Sequence, residues 1–306
     1  MSGRFDPFLY AEDYLADPLI KLAVDRQARQ PSRGQHRHDF AELVTVINGA
    51  GVHVTAGEEY CLRPGDVFVV GGDRRHGYVR CDHLHLVNLI FDLDHLPVPT
   101  LDLRTLPGFH ALFALEPVFR RQHGFRSRLH LDGAAFDRSQ TLLQRLEHEL
   151  KARPPGYAAM AAATFLELVT GLARAYDAAH GAEARRLVRL ARVLCHLEEN
   201  YAEPITLPQL ADLGHMSVAT LIRLFRRGTG TTPIRYLLRF RVHRAAALLD
   251  HDPDCRIIDA ARAVGIHDAN HFTRLFRREY DCTPREYARL HRRLPWPGNQ
   301  PLEHVH

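Results

Sequence analysis

The chain has 306 residues, 45% of them apolar, enough to fill two domains of ordinary size with cores of their own. Basic residues exceed acidic ones only slightly, 40 Lys and Arg against 36 Asp and Glu. No run of about 18 apolar residues is present, and Asp6, Glu12, Asp13 and Asp17 interrupt the N-terminal region where a leader would need an apolar segment. A membrane-spanning or secreted protein is thereby set aside, and a cytoplasmic one is expected.

Cys61, Cys81, Cys195, Cys255 and Cys282 are scattered with no C-x-x-C pair, which points to reduced thiols and to neither a disulfide framework nor a cysteine zinc site. From about 35 to 91 the pattern is short β-type runs (ELVTVING, GVHVTAGEEYCL, RPGDVFVVGG, HLHLVNLIFD). Turn signals at Asn48-Gly49, Ala56-Gly57 and Pro64-Gly65-Asp66 separate them, a spacing that suits an antiparallel sandwich or barrel. Residues 107 to 131 mix apolar and basic residues and are expected to cross the barrel exterior. Two amphipathic helices follow, about 134 to 152 and 157 to 177. The first places Phe136, Leu143, Leu146 and Leu150 on one side, and the second Met160, Phe165, Leu166, Val169 and Leu172. Those faces are either core or a contact between two copies of the chain. Gly181 then breaks the pattern in an expected linker, 179 to 186.

The last third carries one helical device twice. Residues 217 to 227, SVATLIRLFRR, are echoed by 268 to 278, DANHFTRLFRR, and Thr-Pro follows each copy, at Thr232-Pro233 and Thr283-Pro284. A capping residue, Ser217 or Asp268, precedes apolar positions at helical spacing, Leu221, Leu224 and Phe225 or Phe272, Leu275 and Phe276. Upstream of the first copy, TLPQ at Thr206 reads as a capping box opening a short helix that turns at Gly214; a second short helix starts near Arg256 and turns at Gly265. Helix, short turn and basic helix form a helix-turn-helix. Residues 233 to 250 read as a helix that sets the two copies apart, which suits two successive major-groove segments of double-stranded DNA, about 34 Å apart.

Charge agrees. Residues 185 to 294 hold 20 Arg against 12 Asp and Glu, a balance of +8, while the remainder stands at -4. Excess positive charge at one end suits phosphate binding there. The outward positions on the two basic helices are Ala219, Thr220, Ile222 and Arg223, and Ala269, His271, Thr273 and Arg274, the candidate base readers. Ser217, Arg226, Arg227, Thr232, Arg277, Arg278 and Thr283 are the candidate phosphate contacts.

Three long pieces, LADLGHMSVATLIRLFRRGTGTTPIRYL, RVHRAAALL and IIDAARAVGIHDANHFTRLFRREYDCTPREY, resemble the DNA-binding region of the AraC/XylS family of bacterial transcription regulators. Ala260, Ile266 and Asn270-His271 depart from its usual residues. The N-terminal segment resembles a cupin through His36-x-His38-x-x-x-Glu42, Gly65-Asp66 and His76, with Gly71 and Asp73 where the second cupin motif has Pro and Gly. The cupin resemblance implies convergence of His36, His38, Glu42 and His76 inside a barrel, as effector-binding groups, as ligands of a divalent metal, or as residues at the barrel mouth. HRHDFAELVTVINGAGVHV, RRHGYV and HLHLVNLIFD look closest to the rhamnose-responsive activators of the family, which implies a carbohydrate effector.

The expected architecture is α+β with two domains. Residues 1 to 178 form a cupin-like β-barrel with flanking helices for effector sensing and dimerisation, 187 to 294 an all-α domain with two helix-turn-helix motifs, and 295 to 306 a tail. The expected function is a non-enzymatic, cofactor-free activator of carbohydrate genes, working as a homodimer with DNA, a sugar and RNA polymerase. A metal-dependent cupin enzyme fused to a DNA-binding module is the alternative.

Overall fold

A computed structural model describes residues 7–55, 57–71, 75–92, 102–119, 129–178, 181–252 and 254–291. It divides into two compact units, Met1–Cys195 with Arg227–Thr229, and His196–Arg226 with Gly230–His306. The expected tail, and the Asp73 that departs from the second cupin motif, lie outside the described residues.

The first unit is built on β1 (Phe8–Leu9), α1 (Ala11–Tyr14), β2 (Leu22–Gln27), β3 (Arg33–His38), β4 (Ala41–Thr55), β5 (Glu58–Leu62), β6 (Asp66–Val70) and β7 (His76–Phe91). Strand pairing thus begins ahead of residue 35, where alternation in the sequence first becomes legible, because β2 is held by register with β7 from Leu22↔Phe91 to Gln27↔Leu86. The long strands β4 and β7 run antiparallel along nearly their whole length, with irregular register between Val46 and Val52. At one end β6 pairs β4 and β2 pairs β7; at the other β5 pairs β4 and β3 pairs β7. Gly49 sits at the irregularity with φ +76, and a Cβ there would lie 2.1 Å from the His83 carbonyl oxygen, so only glycine permits the approach. Val44, Val46, Phe68 and Leu86 from one end share a buried cluster with Leu62 and Tyr78 from the other.

Residues 103 to 119 form short helical turns, among them α2 (Pro107–Phe109) and α3 (Glu116–Phe119), and β8 (Leu129–His130) pairs β6. Helices α4 (Gly133–Ala152) and α5 (Tyr157–Asp177) pack on each other. Leu143 and Leu146 of α4 and Phe165, Val169 and Leu172 of α5 are buried inside the chain, Val169 completely, so most of the face expected to be core or dimer contact is core. Met160 is exposed, off that face, and Leu166 is half-buried. By length and mean hydropathy α5 alone among the described helices could cross a membrane, but its apolar side is occupied by protein.

Helix α6 (Ala182–Glu199) begins at 182, so residues 182 to 186 of the expected linker are helical. The second unit contains α7 (Leu207–Leu213), most of α8 (Val218–Thr229), α9 (Pro233–His251), α10 (Ile257–Ala263), α11 (Ala269–Tyr280) and α12 (Pro284–His291). Thr206 and Gln209 form the capping box that the sequence signals. The left-handed residue of the first turn is His215, φ +49, rather than Gly214, whereas the second turn uses Gly265, φ +74.

Candidate effector pocket and nucleic-acid interface

In the first unit β3, β4 and β7 carry three of the four sequence-flagged side chains to one buried point. His38, Glu42 and His76 are buried, and their donor atoms lie within 4.8 Å of one another. His76 Nε2 is 3.5 Å and His38 Nε2 3.7 Å from the same carboxylate oxygen, Glu42 Oε2. His36 is the Cα partner of His76 across β3 and β7, with the rings 4.3 Å apart, but it is only half-buried and stands outside the triad at the cavity wall.

The tautomer of His38 follows from its surroundings. Nδ1 is 2.8 Å from the Phe40 carbonyl oxygen, so Nδ1 carries the proton and donates it, and Nε2 presents a lone pair toward Glu42. Burial lowers the His38 pKa and favours this neutral ring. Burial pushes the Glu42 carboxyl up, but the hydrogen bond and charge of His76 outweigh it and hold the group below its ordinary value. A lone pair facing a buried carboxylate oxygen is tolerated only with a shared proton or a cation between them. Two imidazoles and one carboxylate are also a donor set that suits a divalent first-row ion, with the Phe40 carbonyl orienting His38 as outer partners of metal-bound histidines do. The residues fit such an ion.

Beside the triad lies a cavity of about 380 Å³, walled by Glu42 and His36 and by residues that no sequence motif marks. Asp25 on β2 and Asn88 on β7 are cross-strand partners, and Gln27 Nε2 donates to both Asp25 oxygens at 2.8–2.9 Å. Tyr14, Phe40 and Tyr78 supply aromatic surface, and burial, then the Glu42 charge, raises the Tyr78 hydroxyl well above its usual pKa. A third buried histidine at this site, His53, has its ring 5.6 Å from His76. Alternation along β7 from His76 could have flagged Asn88. On β4 His53 stands an odd number of residues from Glu42, and the irregular register between Val46 and Val52 is invisible in the sequence; β2, which carries Asp25, gave too weak a signal. The Gly65-Asp66 element serves the fold. Asp66 accepts from His130 Nδ1 at 3.0 Å and from the Arg63 backbone N–H at 3.0 Å, which anchors β8.

In the second unit the recognition helices have the caps their sequences announce. Ser217 Oγ accepts from the Thr220 N–H at 3.3 Å, and Asp268 Oδ1 accepts from the Asn270 and His271 N–H groups at 2.8 and 2.9 Å. Ala219, Arg223, Ala269 and Arg274 are exposed, and Thr220, Ile222, His271 and Thr273 half-buried. The Thr273 hydroxyl donates to the Ala269 carbonyl at 2.8 Å, and the Thr220 hydroxyl receives the Ser217 hydroxyl at 3.0 Å, so each has a local partner. Aligning the copies cap on cap pairs Ala219 with Asn270, which is exposed and missing from the sequence-derived set. Asn270 carries amide groups suited to adenine.

Among the proposed phosphate contacts Arg226, Arg277 and Arg278 are exposed and Arg227 half-buried. Thr283 completes a capping box, accepting from the Glu286 N–H at 3.3 Å and donating to Glu286 Oε2 at 2.8 Å, while Thr232 and Ser217 stand at helix N-caps. Exposed helix N-termini with outward arginines offer both donors and charge to phosphate.

Residues 22–187 match the model of an AraC-like ligand binding domain, and residues 210–290 that of a helix-turn-helix domain. The HTH-type transcriptional activator RhaS of Escherichia fergusonii is 31% identical over 278 residues, covering 91% of this chain and 95% of the relative. RhaS of Yersinia pestis is 31% identical over 280 residues, covering 91% and 97%. A crystal structure of an AraC-type transcriptional regulator from Chromobacterium violaceum is 30% identical and covers 34% of this chain and 93% of that one, with a TM-score of 0.33. Matched along nine-tenths of its length and by both domain models, the chain belongs to the AraC/XylS family of transcriptional regulators, with a ligand-binding domain followed by a helix-turn-helix domain.

Proposed function

We propose that this regulator activates carbohydrate-metabolism genes in the cytoplasm when a small sugar occupies the cavity beside His38, Glu42 and His76. The observation that carries the reading is the composition of that cavity. Carboxylate and amide groups from Asp25, Gln27, Glu42 and Asn88 face the same space as the rings of Tyr14, Phe40 and Tyr78. Hydroxyl groups of a sugar donate to the carboxylates and exchange hydrogen bonds with the amides, and its C–H faces lie on the aromatic rings. The relatives named RhaS, similar over 91% of this chain, support a sugar effector.

His36, which lines the same cavity, is the proposed orienting partner of the effector. Exposed Arg223 and Arg274 are the proposed guanine readers, and the exposed arginines Arg226, Arg277 and Arg278 the proposed phosphate contacts. RNA polymerase is the proposed partner in activation, and a homodimer the proposed working form.

Thermal melting with a panel of aldoses and deoxyhexoses tests the sensor. A sugar at 100 times its dissociation constant stabilises the fold that binds it by about 2.7 kcal/mol. Asp25→Ala and Asn88→Ala are expected to abolish the shift without lowering the melting temperature of the free protein by as much. No shift with any sugar in the panel counts against a carbohydrate effector. A second reading places a divalent ion on His38, Glu42 and His76, favoured by the Nε2 lone pair of His38 that faces Glu42. Such an ion would supply a Lewis-acidic point for effector hydroxyls.

A further inference from the structure

The two helix-turn-helix motifs are joined by more than the rod of α9. Arg241, at the middle of α9, reaches both at once: its Nε donates to the Tyr201 carbonyl at 2.5 Å, one terminal nitrogen to the Glu203 carbonyl at 2.8 Å, and the other to the Gly265 carbonyl at 3.1 Å. Tyr201 and Glu203 belong to the segment that enters the first motif, and Gly265 is the turn of the second. The same two segments touch through their backbones. A Cβ on Gly265 would lie 2.2 Å from the Ala202 carbonyl oxygen, and φ there is +74. Other polar ties of α9 each reach a single neighbour, such as Tyr236 to Glu198 of α6 at 2.5 Å, and His243 to Tyr280 at 2.9 Å and Arg239 to Glu279 at 3.0 Å, both on α11.

A planar guanidinium holding three carbonyl oxygens fixes direction as well as distance, which an ammonium on a flexible stem does not. We propose that Arg241, together with Gly265, fixes the separation of the two recognition helices and so sets the base-pair spacing between the two DNA segments one chain reads; this rests on the reading that α8 and α11 both enter DNA. Arg241 is a positioning residue and need not touch DNA. Adding one base pair moves the second segment by about 3.4 Å and about a tenth of a turn, which a rigid seam cannot follow.

The probe is the duplex that the full-length wild-type chain selects from a random-sequence pool, with versions carrying one base pair more or fewer between the two protected segments, and one with the second segment scrambled. Wild-type affinity is expected to fall about tenfold on either altered spacing. Arg241→Met, which retains an unbranched stem and removes the donors, is expected to bind all three spacings within about twofold of one another, and to keep wild-type affinity for the single-segment duplex within about twofold. Gly265→Ala leaves Arg241 in place and forces the seam open, so it is expected to flatten or displace the spacing preference. A fold defect would instead weaken single-segment binding and lower the melting temperature; if Arg241→Met behaves so, Arg241→Lys and Gly265→Ala carry the test. A folded variant that keeps the wild-type ratio overturns the proposal. A wild-type chain that selects only single-segment duplexes overturns the two-segment reading beneath it.

Discussion

At the residue scale, chemistry is concentrated in a few side chains whose surroundings differ sharply. Arg223 and Arg274 occupy matching positions on α8 and α11, both exposed, and an arginine's planar fork is suited to guanine in a major groove. Arg223→Ala or Arg274→Ala is expected to cost about 1–3 kcal/mol at one base position and to relax specificity there, leaving other positions unchanged. Binding measured across a set of single-base operator variants checks this, and a uniform loss across all of them would reassign the arginine to phosphate. Asn270 belongs in the same experiment, with adenine as its expected base. In the sensor, elemental analysis of purified protein tests the triad independently of effector binding. If a divalent ion is held there, it is present at about one per chain, is removed by a chelator, and is lost in His38→Ala. Effector binding that survives with no metal leaves the triad bridged by a proton.

At the scale of elements, the caps and the packed helices make separate predictions. Asp268 accepts two backbone N–H groups where Ser217 accepts one at greater length, so Asp268→Ala is expected to destabilise the protein more than Ser217→Ala in thermal melts at neutral pH. The His271 N–H bond, with that of Asn270, holds the Asp268 carboxyl below its ordinary pKa, against a smaller opposing effect of desolvation. Its stabilising effect is therefore complete above the unfolded pKa of about 4 and is lost as pH falls through the lower folded value, so the gap between wild type and Asp268→Ala narrows in acid. On α5 the completely buried Val169 and the half-buried Leu166 separate core from surface. Val169→Glu is expected to unfold its unit, since an unpaired buried charge costs about 3–5 kcal/mol. Leu166→Glu is expected to leave a folded chain, and sedimentation of that variant shows whether α5 also holds a homodimer: a monomer supports the proposed contact, and an intact dimer removes it.

At the scale of the whole molecule, charge is distributed unevenly along the chain. Residues 185 to 294 carry a balance of +8 and the rest -4, so the DNA-facing half attracts phosphate while the sensor half contributes no general affinity for it. Removing Arg277 and Arg278 together is expected to reduce the slope of log affinity against log salt by about 0.9 for each phosphate no longer neutralised, for specific and random DNA alike. Filter binding at several salt concentrations reads that slope directly, and an unchanged slope would place both arginines away from the backbone.

The repeated motif was legible in the sequence because its information is local. Caps, helical periodicity and turn glycines act over a few residues, so α7, α8, α9, α10 and α11 could be placed from the residues alone. The β-type runs were legible for the same reason, whereas His36, His38, Glu42 and His76 were singled out by the cupin resemblance and only His38, Glu42 and His76 meet at one point. Only tertiary structure decided what those residues meet. Cross-strand register is set between segments far apart in the chain, and it brings Asp25 of β2 opposite Asn88 of β7, while the bend at Gly49 lets both ends of the sheet share one core. Burial, likewise a property of packing, removed Val169 from any dimer surface and made Arg241, one arginine among many in the sequence, the group that holds two motifs by three carbonyl oxygens. Periodicity reports which face of an element is apolar; which partner covers that face depends on contacts between residues distant in sequence, and those are fixed only when the chain folds.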